Sequence, residues 1–336
     1  MTTITDEELF TNTEGLKGKV VLITGGGKGV GQAVAVAFAR YGAKIIIGDL
    51  DVPSSKHTMR EVLRAGGHIG ADALVKECNV TIWDDQVALF AAGYQKFGRI
   101  DYVVASAGIG GSPDGSFVVK GGKNAPPAKP SLAVLDVNLT GSIYTARLAQ
   151  YYLMKDKSSE PKAIIFMGSM AGLNGLPHGE MYSASKHALV GFTRSLRDEM
   201  KLWGVRVAVV CPWFIDTSIL ETPTRVMLAG LPMTPLSRVA GAVVHAATDP
   251  DWETSGASYA LPDDGSIIRI DRKELAVGIY KILHERLNSV SKIQFNVAYY
   301  QGIFGDLFLL VAPYLNVVAF LIPLVAYYYL QKYVFK

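Results

Sequence analysis

The sequence predicts an α/β protein, a doubly wound parallel sheet of about seven strands in a single domain, followed by a transmembrane-like helical segment at the C-terminal end. Three observations point there. From Lys19 to about Gly265, short β-branched runs alternate with longer amphipathic ones. The short runs are continuous and apolar, as suits strands buried on both faces. The longer ones have room for the crossover helices that parallel strands need.

Taken in chain order, residues 1–15 form an acidic, polar N-terminal extension with no basic stretch leading into an apolar run, so they do not read as a signal peptide and synthesis is expected to start in the cytosol. The domain runs from 16 to 270. Its strands are expected at VVLIT (20–24), KIIIGD (44–49), ALVKECNV (73–80), DYVVASAG (101–108), AIIFMGS (163–169), VRVAVVCP (205–212) and ASYALPDDG (257–265). Amphipathic helices are expected at Val30 to Arg40, Trp83 to Phe97, Leu132 to Met154 and Tyr182 to Trp203. Gly110 to Pro130, rich in Gly and Pro, reads as an irregular surface loop, either functional or simply solvated. Trp213 to Pro235 carries three prolines among scattered apolar residues and reads as a lid over a substrate or as a plain excursion.

Residues 271–302 are expected to be a helical linker, and 303–331 a membrane anchor. From Leu307 to Gln331 no residue is charged, and as a helix the run LFLLVAPYLNVVAFLIPLVAYYYL spans roughly 36 Å against a hydrocarbon core of about 30 Å. Tyr327 to Tyr329, Lys332 and Lys336 fit an interfacial anchor. The other reading is a C-terminal helix or hairpin buried on the domain or on a partner subunit.

Composition bounds the function. The 336 residues, 49% apolar, suffice for one large domain. A net charge of +3 from 33 basic and 30 acidic residues, without clustering, excludes a nucleic-acid-binding face. Cys78 and Cys211 lie in apolar runs and read as small core residues rather than a disulfide. The six histidines show no ligand spacing, so no metal is expected.

The first strand runs into TGGGKGVG, Thr24 to Gly31, and then into a helix. Gly25 allows a tight turn, Gly29 a close backbone approach to a pyrophosphate, and Gly31 close packing of helix on sheet, with Val30 opening the helix. Asp49 ends the second strand, where a carboxylate accepts hydrogen bonds from ribose hydroxyls and repels a 2′-phosphate. Asp51 adds negative charge, which favours NAD over NADP. Lys28 argues the other way, since a cation there can meet a 2′-phosphate, or it is an exposed solvated side chain.

Tyr182 and Lys186 stand four apart at the start of a predicted helix and so share a face. A free tyrosine titrates near ~10, too high for a base at neutral pH, but an adjacent ammonium and a positive nicotinamide favour the phenolate. Ser169, at the end of the fifth predicted strand, can donate a hydrogen bond to a substrate oxygen.

Together T24-G-G-G-K-G-V-G31, A105-S-A-G108, Asn138, Ser169 and Y182-S-A-S-K186 resemble the short-chain dehydrogenase/reductase family, with its Rossmann-type fold, over roughly residues 16–266. The resemblance implies Tyr182 as acid/base, Lys186 binding the nicotinamide ribose and tuning Tyr182, Ser169 polarising the substrate, and Asn138 supporting a water-linked proton relay. It also implies Ala107 and Gly108 along the cofactor and Asn79 and Val80 at its adenine end. Phe214 and Thr217 are expected to contact the nicotinamide end. Asn79 stands where the family often has Asp, Ser106 where Asn is common, and Pro212-Trp213 where Pro-Gly is usual. Trp213 either lines a substrate pocket, with Ile219, or belongs to the core.

The expected function is NAD-dependent interconversion of a secondary alcohol and a ketone on a lipophilic molecule such as a terpenoid, steroid, polyketide or fatty alcohol. The enzyme would be a homodimer or homotetramer, either membrane-anchored with its catalytic domain facing the cytosol, in the endoplasmic reticulum, or else cytoplasmic. The alternatives are an NADPH-dependent carbonyl reductase of the same family and a non-catalytic NAD-binding sensor or scaffold.

Overall fold

In chain order the elements are β1 (Thr2–Ile4), β2 (Val20–Thr24), α1 (Gly29–Ala39), β3 (Lys44–Asp49), α2 (Val52–Gly66), β4 (Ala73–Glu77), α3 (Trp83–Phe97), β5 (Tyr102–Ala105), α4 (Ala133–Leu135), α5 (Gly141–Lys155), β6 (Lys162–Met167), α6 (Glu180–Leu202), β7 (Val205–Pro212), α7 (Thr222–Met227), α8 (Leu236–Thr248), β8 (Ser258–Leu261) and β9 (Ile267–Ile270). A π-helical turn, Asp136–Thr140, joins α4 to α5. The computed structural model describes residues 1–111, 128–156, 160–217, 220, 222–275, 278, 279, 282, 283 and 286. By contacts the chain divides into two units, Met1–Val277 and Gly278–Lys336. The predicted anchor 303–331, and the predicted linker beyond 275 apart from those scattered positions, lie outside the described residues. Among the described residues no helix is long and apolar enough to cross a membrane.

The strands form one sheet in the order β1-β9-β8-β7-β6-β5-β2-β3-β4. From β8 to β4 every pair is parallel, while β9 runs antiparallel to β8 and β1 antiparallel to β9. The chain moves outward through β3 and β4, then returns past β2 to lay down β5 on its other side. That reversal opens a crevice at the carboxyl ends of β2 and β5, where an open α/β sheet takes its ligands.

Strand alternation divides the core between the two faces. Val21, Ile23, Ile45 and Ile47 pack with Val34 and Phe38 of α1 and Val239 and Val243 of α8. Val20, Leu22, Ile46 and Val103 pack with Leu89 and Phe90 of α3, Leu153 of α5 and Leu189 of α6. Local chemistry sets the helix ends. In α3, Asp84 and Asp85 occupy the first turn and Lys96 the last, and Gly98 closes the helix at φ 74°, the left-handed conformation that glycine adopts without strain.

The sheet has nine strands, two more than the sequence predicts. Both additions are three or four residues long, too short to show a period. Residues 1–15 join the domain through them. Thr2–Ile4 pair with Ile267–Arg269, and Ile4 and Leu9 are buried in the core. Arg238 of α8 grips Asp6 through two nitrogens, at 2.9 and 2.7 Å. Several predicted strands end early, 73–80 at Glu77, 101–108 at Ala105 and 257–265 at Leu261, because the following residues leave the ladder to build the loops at the carboxyl edge.

Candidate active site

The glycine turn after β2 is closed by backbone contacts that leave no room for side chains. A Cβ on Gly25, whose φ is +67°, would lie 2.5 Å from the Ala107 Cα, and one on Gly31 would lie 2.1 Å from the Gly25 carbonyl oxygen. Gly29 has φ +57° and faces the Thr217 side chain at 3.5 Å. Asp49 fixes the turn from β3, its Oδ2 accepting the Gly27 N–H at 2.8 Å and its Oδ1 the Asp51 N–H at 2.9 Å. Lys28, immediately before α1, reaches toward Asp51 with Nζ 3.6 Å from Oδ2. Val30 sits in the first turn of α1. This cradle of bare backbone at a helix N-terminus, with a fixed carboxylate beside it, fits a dinucleotide.

On the facing side, Ala107 and Gly108 follow β5. A Cβ on Gly108 would meet Asn138 Oδ1 at 3.2 Å and Lys186 Nζ at 3.8 Å, so both groups flank this glycine. Asn138, in the π-helical turn, is fully buried. Its Oδ1 accepts the Ile109 N–H at 2.8 Å, and its Nδ2 donates to the Ile109 carbonyl at 3.0 Å and to Ser185 Oγ at 3.2 Å. The side chain therefore braces the loop after β5 against α6.

Val80 is buried and packs on Gly141 of α5, where a Cβ would lie 2.8 Å from Val80 Cγ2. Asn79 Oδ1 accepts from the Thr81 N–H at 3.1 Å and hydroxyl at 2.8 Å, a local turn that sequence reasoning did not anticipate.

Ser169, Tyr182 and Lys186 come together at the carboxyl end of β6 and the start of α6. The Ser169 hydroxyl accepts the Ala171 N–H at 3.1 Å and also hydrogen-bonds the Tyr182 phenol. Lys186 is 5% exposed; its Nζ lies 5.5 Å from the Tyr182 ring centroid and donates to the Met167 carbonyl at 2.7 Å. The electrostatics differ from the sequence expectation of a phenol lowered by its neighbour. Burial pushes the Tyr182 phenol up, with the Ser169 bond pulling the other way, and burial lowers the Lys186 ammonium to about 8. Desolvation leads at Lys186 because the side chain is buried, and its Nζ donates to the Met167 carbonyl at the end of β6.

Three buried neighbours escaped sequence reasoning. A Cβ on Gly168 would lie 2.7 Å from Cys211 Sγ, and one on Gly172 would lie 2.6 Å from the Lys186 carbonyl oxygen. Both glycines set how closely Ser169 approaches β7 and α6. Burial pushes the Cys211 thiol up to about 12, which keeps it neutral there. The signal was present as Gly168 next to Ser169, but its meaning needs the facing strand.

At the other rim, Trp213 and Phe214 stack edge to face at 4.7 Å, and the Trp213 backbone N–H donates to the Leu261 carbonyl at 2.7 Å. Trp213 is half-buried. Arg225 of α7 ties this segment together through an ion pair with Asp216 and a 2.7 Å bond to the Thr217 carbonyl. Ile219 lies outside the described residues. Among the described residues the carboxylates of Asp101, Asp156 and Glu160 approach ligand spacing, but Arg99 bonds all three and Lys19 bonds Glu160 at 2.6 Å, which makes this an ion-pair network at the opposite edge of the sheet.

The model of a family described as short chain dehydrogenase matches residues 19–225. A short-chain dehydrogenase/reductase of Acremonium egyptiacum, ascJ, is 33% identical over 217 residues, covering 64% of this chain and 68% of its own. A 5′-hydroxyaverantin dehydrogenase of Dothistroma septosporum is 32% identical, covering 66% and 76%. A 3-oxoacyl-[acyl-carrier-protein] reductase of Thermotoga maritima is 30% identical, covering 75% of this chain and 99% of its own.

Proposed function

This chain belongs to the short chain dehydrogenase family, and on that premise we propose that it interconverts a secondary alcohol and a ketone on a lipophilic small molecule, with NAD as its cofactor. It is an oxidoreductase that acts on CH–OH groups. The observation that carries the finer reading is the convergence of Ser169, Tyr182 and Lys186 beside Gly108.

The glycine turn Gly25 to Gly31, Asp49 and the Ala107-Gly108 loop are the groups that hold the dinucleotide. The dinucleotide, when bound there, would supply hydride-transfer chemistry. Tyr182 takes the proton from the substrate hydroxyl, or returns it to the ketone oxygen in reverse. Ser169 donates a hydrogen bond to the same oxygen as its charge changes. Lys186, one helical turn along α6, steadies the phenolate, and Asn138 keeps the loop after β5 in register with α6. The Asp49 carboxylate, held by two backbone amides, supports NAD over NADP.

A lipophilic substrate is supported by the aromatic pair Trp213 and Phe214 and by Val226, Met227 and Leu231, which stand exposed in the segment after β7. Among the relatives, the Thermotoga protein is named for a 3-oxoacyl group, a ketone on an acyl chain. The assembly is a homodimer or homotetramer built on the helices that bear Asn138 and Tyr182. Residues 303–331 anchor the enzyme in a membrane, with the catalytic domain facing the cytosol, in the endoplasmic reticulum.

The test is a panel of alcohols and ketones assayed with NAD(H) and NADP(H). Lipophilic secondary alcohols should be turned over best, and with NAD. Preference for small hydrophilic alcohols overturns the substrate reading, and preference for NADPH leaves the carbonyl-reductase alternative standing. Carbonate extraction tests the anchor against a chain ending near Lys292: if both remain soluble, the anchor reading is wrong.

A further inference from the structure

Lys28 and Asp51 lie at the adenosine end of the cleft and are anchored from both sides. The carbonyl of Gly27, next to Lys28, accepts the Thr58 hydroxyl of α2 at 2.8 Å, and the Gly27 N–H is held by Asp49. Asp51 caps α2, its Oδ1 accepting the Ser54 N–H at 3.0 Å and its Oδ2 the Ser54 hydroxyl at 2.7 Å. With that Oδ2 held on Ser54, the Asp51 end of the pair is fixed, and Lys28 Nζ stands 3.6 Å from it. The Ser54 amide and hydroxyl, and then Lys28, hold the Asp51 carboxyl below the usual carboxylate range.

We propose that Asp51 is a cofactor-specificity residue that works through Lys28, occupying the one cation of the glycine turn so that it is not offered to a 2′-phosphate. This rests on the NAD reading above. Asp49, Asp51 and Lys28 together carry a net charge of −1, the sum of two carboxylates and one ammonium. Removing the Asp51 charge brings that sum to zero and leaves Lys28 facing the site. A 2′-phosphate carries about two negative charges, so it is penalised by Asp51 directly and again through the loss of Lys28. The pair is exposed, 58% at Lys28 and 36% at Asp51, so the effect is screened and amounts to roughly tenfold in binding.

The substitution that isolates the charge is Asp51→Asn, since asparagine caps a helix as well as aspartate and keeps the bond to the Ser54 N–H. Full-length wild type, Asp51→Asn, Lys28→Met and the double variant would be titrated calorimetrically with adenosine 2′,5′-bisphosphate and with 5′-AMP. These probes report on this end of the cleft alone. Asp51→Asn should tighten the bisphosphate about tenfold relative to AMP, and on the Lys28→Met background the same substitution should gain about threefold at most, the share of the direct repulsion by Asp51. An unchanged ratio in Asp51→Asn, or an equal gain with and without Lys28, overturns the proposal. Wild type binding the bisphosphate more tightly than AMP overturns the NAD reading itself, and this proposal with it.

Discussion

Burial of Lys186 makes a prediction about stability that is separate from catalysis. Its ammonium, 5% exposed, falls from 10.5 to about 8 because burial disfavours the charged form. The folded pKa thus lies below the unfolded one. Between the two, the unfolded chain binds more protons, so stability rises with pH from about 8 to about 10.5. Each pH unit across that window is worth about 1.4 kcal/mol, which sums to about 3 kcal/mol. In Lys186→Met this contribution is absent, while titrations away from Tyr182 and Cys211 are shared with the wild type. The absolute difference between the two proteins also contains the lost bond to the Met167 carbonyl, about 1.5–3 kcal/mol for a charged donor, so neutral pH alone does not isolate the charge. The informative quantity is the change with pH. Urea denaturation of both proteins, without added nucleotide, at several pH values from about 7 to 10.5 should show wild type gaining about 3 kcal/mol on the variant. Parallel stability curves, or wild type losing ground as pH rises, would mean that the ammonium is stabilised where it sits.

Further predictions concern the cleft and the N-terminal segment. Tyr182→Phe should lower turnover on the order of 10³-fold while leaving NAD binding by calorimetry within a few fold, and retained turnover would remove the phenol from the chemistry. Ser169→Ala should cost on the order of 10²-fold in kcat with a smaller change in cofactor KM; a pure KM effect would make Ser169 a binding residue. Gly31→Ala places a Cβ 2.1 Å from the Gly25 carbonyl oxygen and should weaken NAD by roughly ten- to a hundredfold, the 1–3 kcal/mol of an overpacked contact; unchanged affinity would show that the turn yields. Leu9→Ala should destabilise by about 2–5 kcal/mol, since Leu9 is 3% exposed and lies where a side chain on Gly241 would collide; a loss below about 1 kcal/mol would make the N-terminal segment dispensable.

What the sequence disclosed and what it hid follow from the range of the interactions. The helix Trp83–Phe97 and the strands 20–24, 44–49 and 205–212 coincide with their expected bounds, because apolar runs and end-capping residues are local signals. The meeting of Tyr182 with Lys186 was legible for the same reason, one helical turn being fixed by periodicity. The brace from Asn138 to Ile109 and Ser185 was not, because it joins residues 29 and 47 positions apart. Nor was the balance at Lys186, where spacing reveals an ammonium near a phenol but only the fold reveals that Met167 engages it. The π-helical turn at Asn138 is likewise invisible to a 3.6-residue pattern. Position 80 illustrates a different limit. The resemblance implies the adenine end for it, and its packing on Gly141 of α5 shows only in the fold.

The pairing of Thr2–Ile4 with Ile267–Arg269 also bears on biosynthesis. The earlier partner emerges from the ribosome roughly 260 residues ahead of the later one, and the hydrogen-bonding edge it needs does not yet exist. Ile4 therefore reaches its native place only when nearly the whole sheet has been translated, whereas Leu9 needs only α8. Stalling release shortly before β9 should leave a nascent chain that is protease-resistant through β7 yet still cleavable within its first five residues.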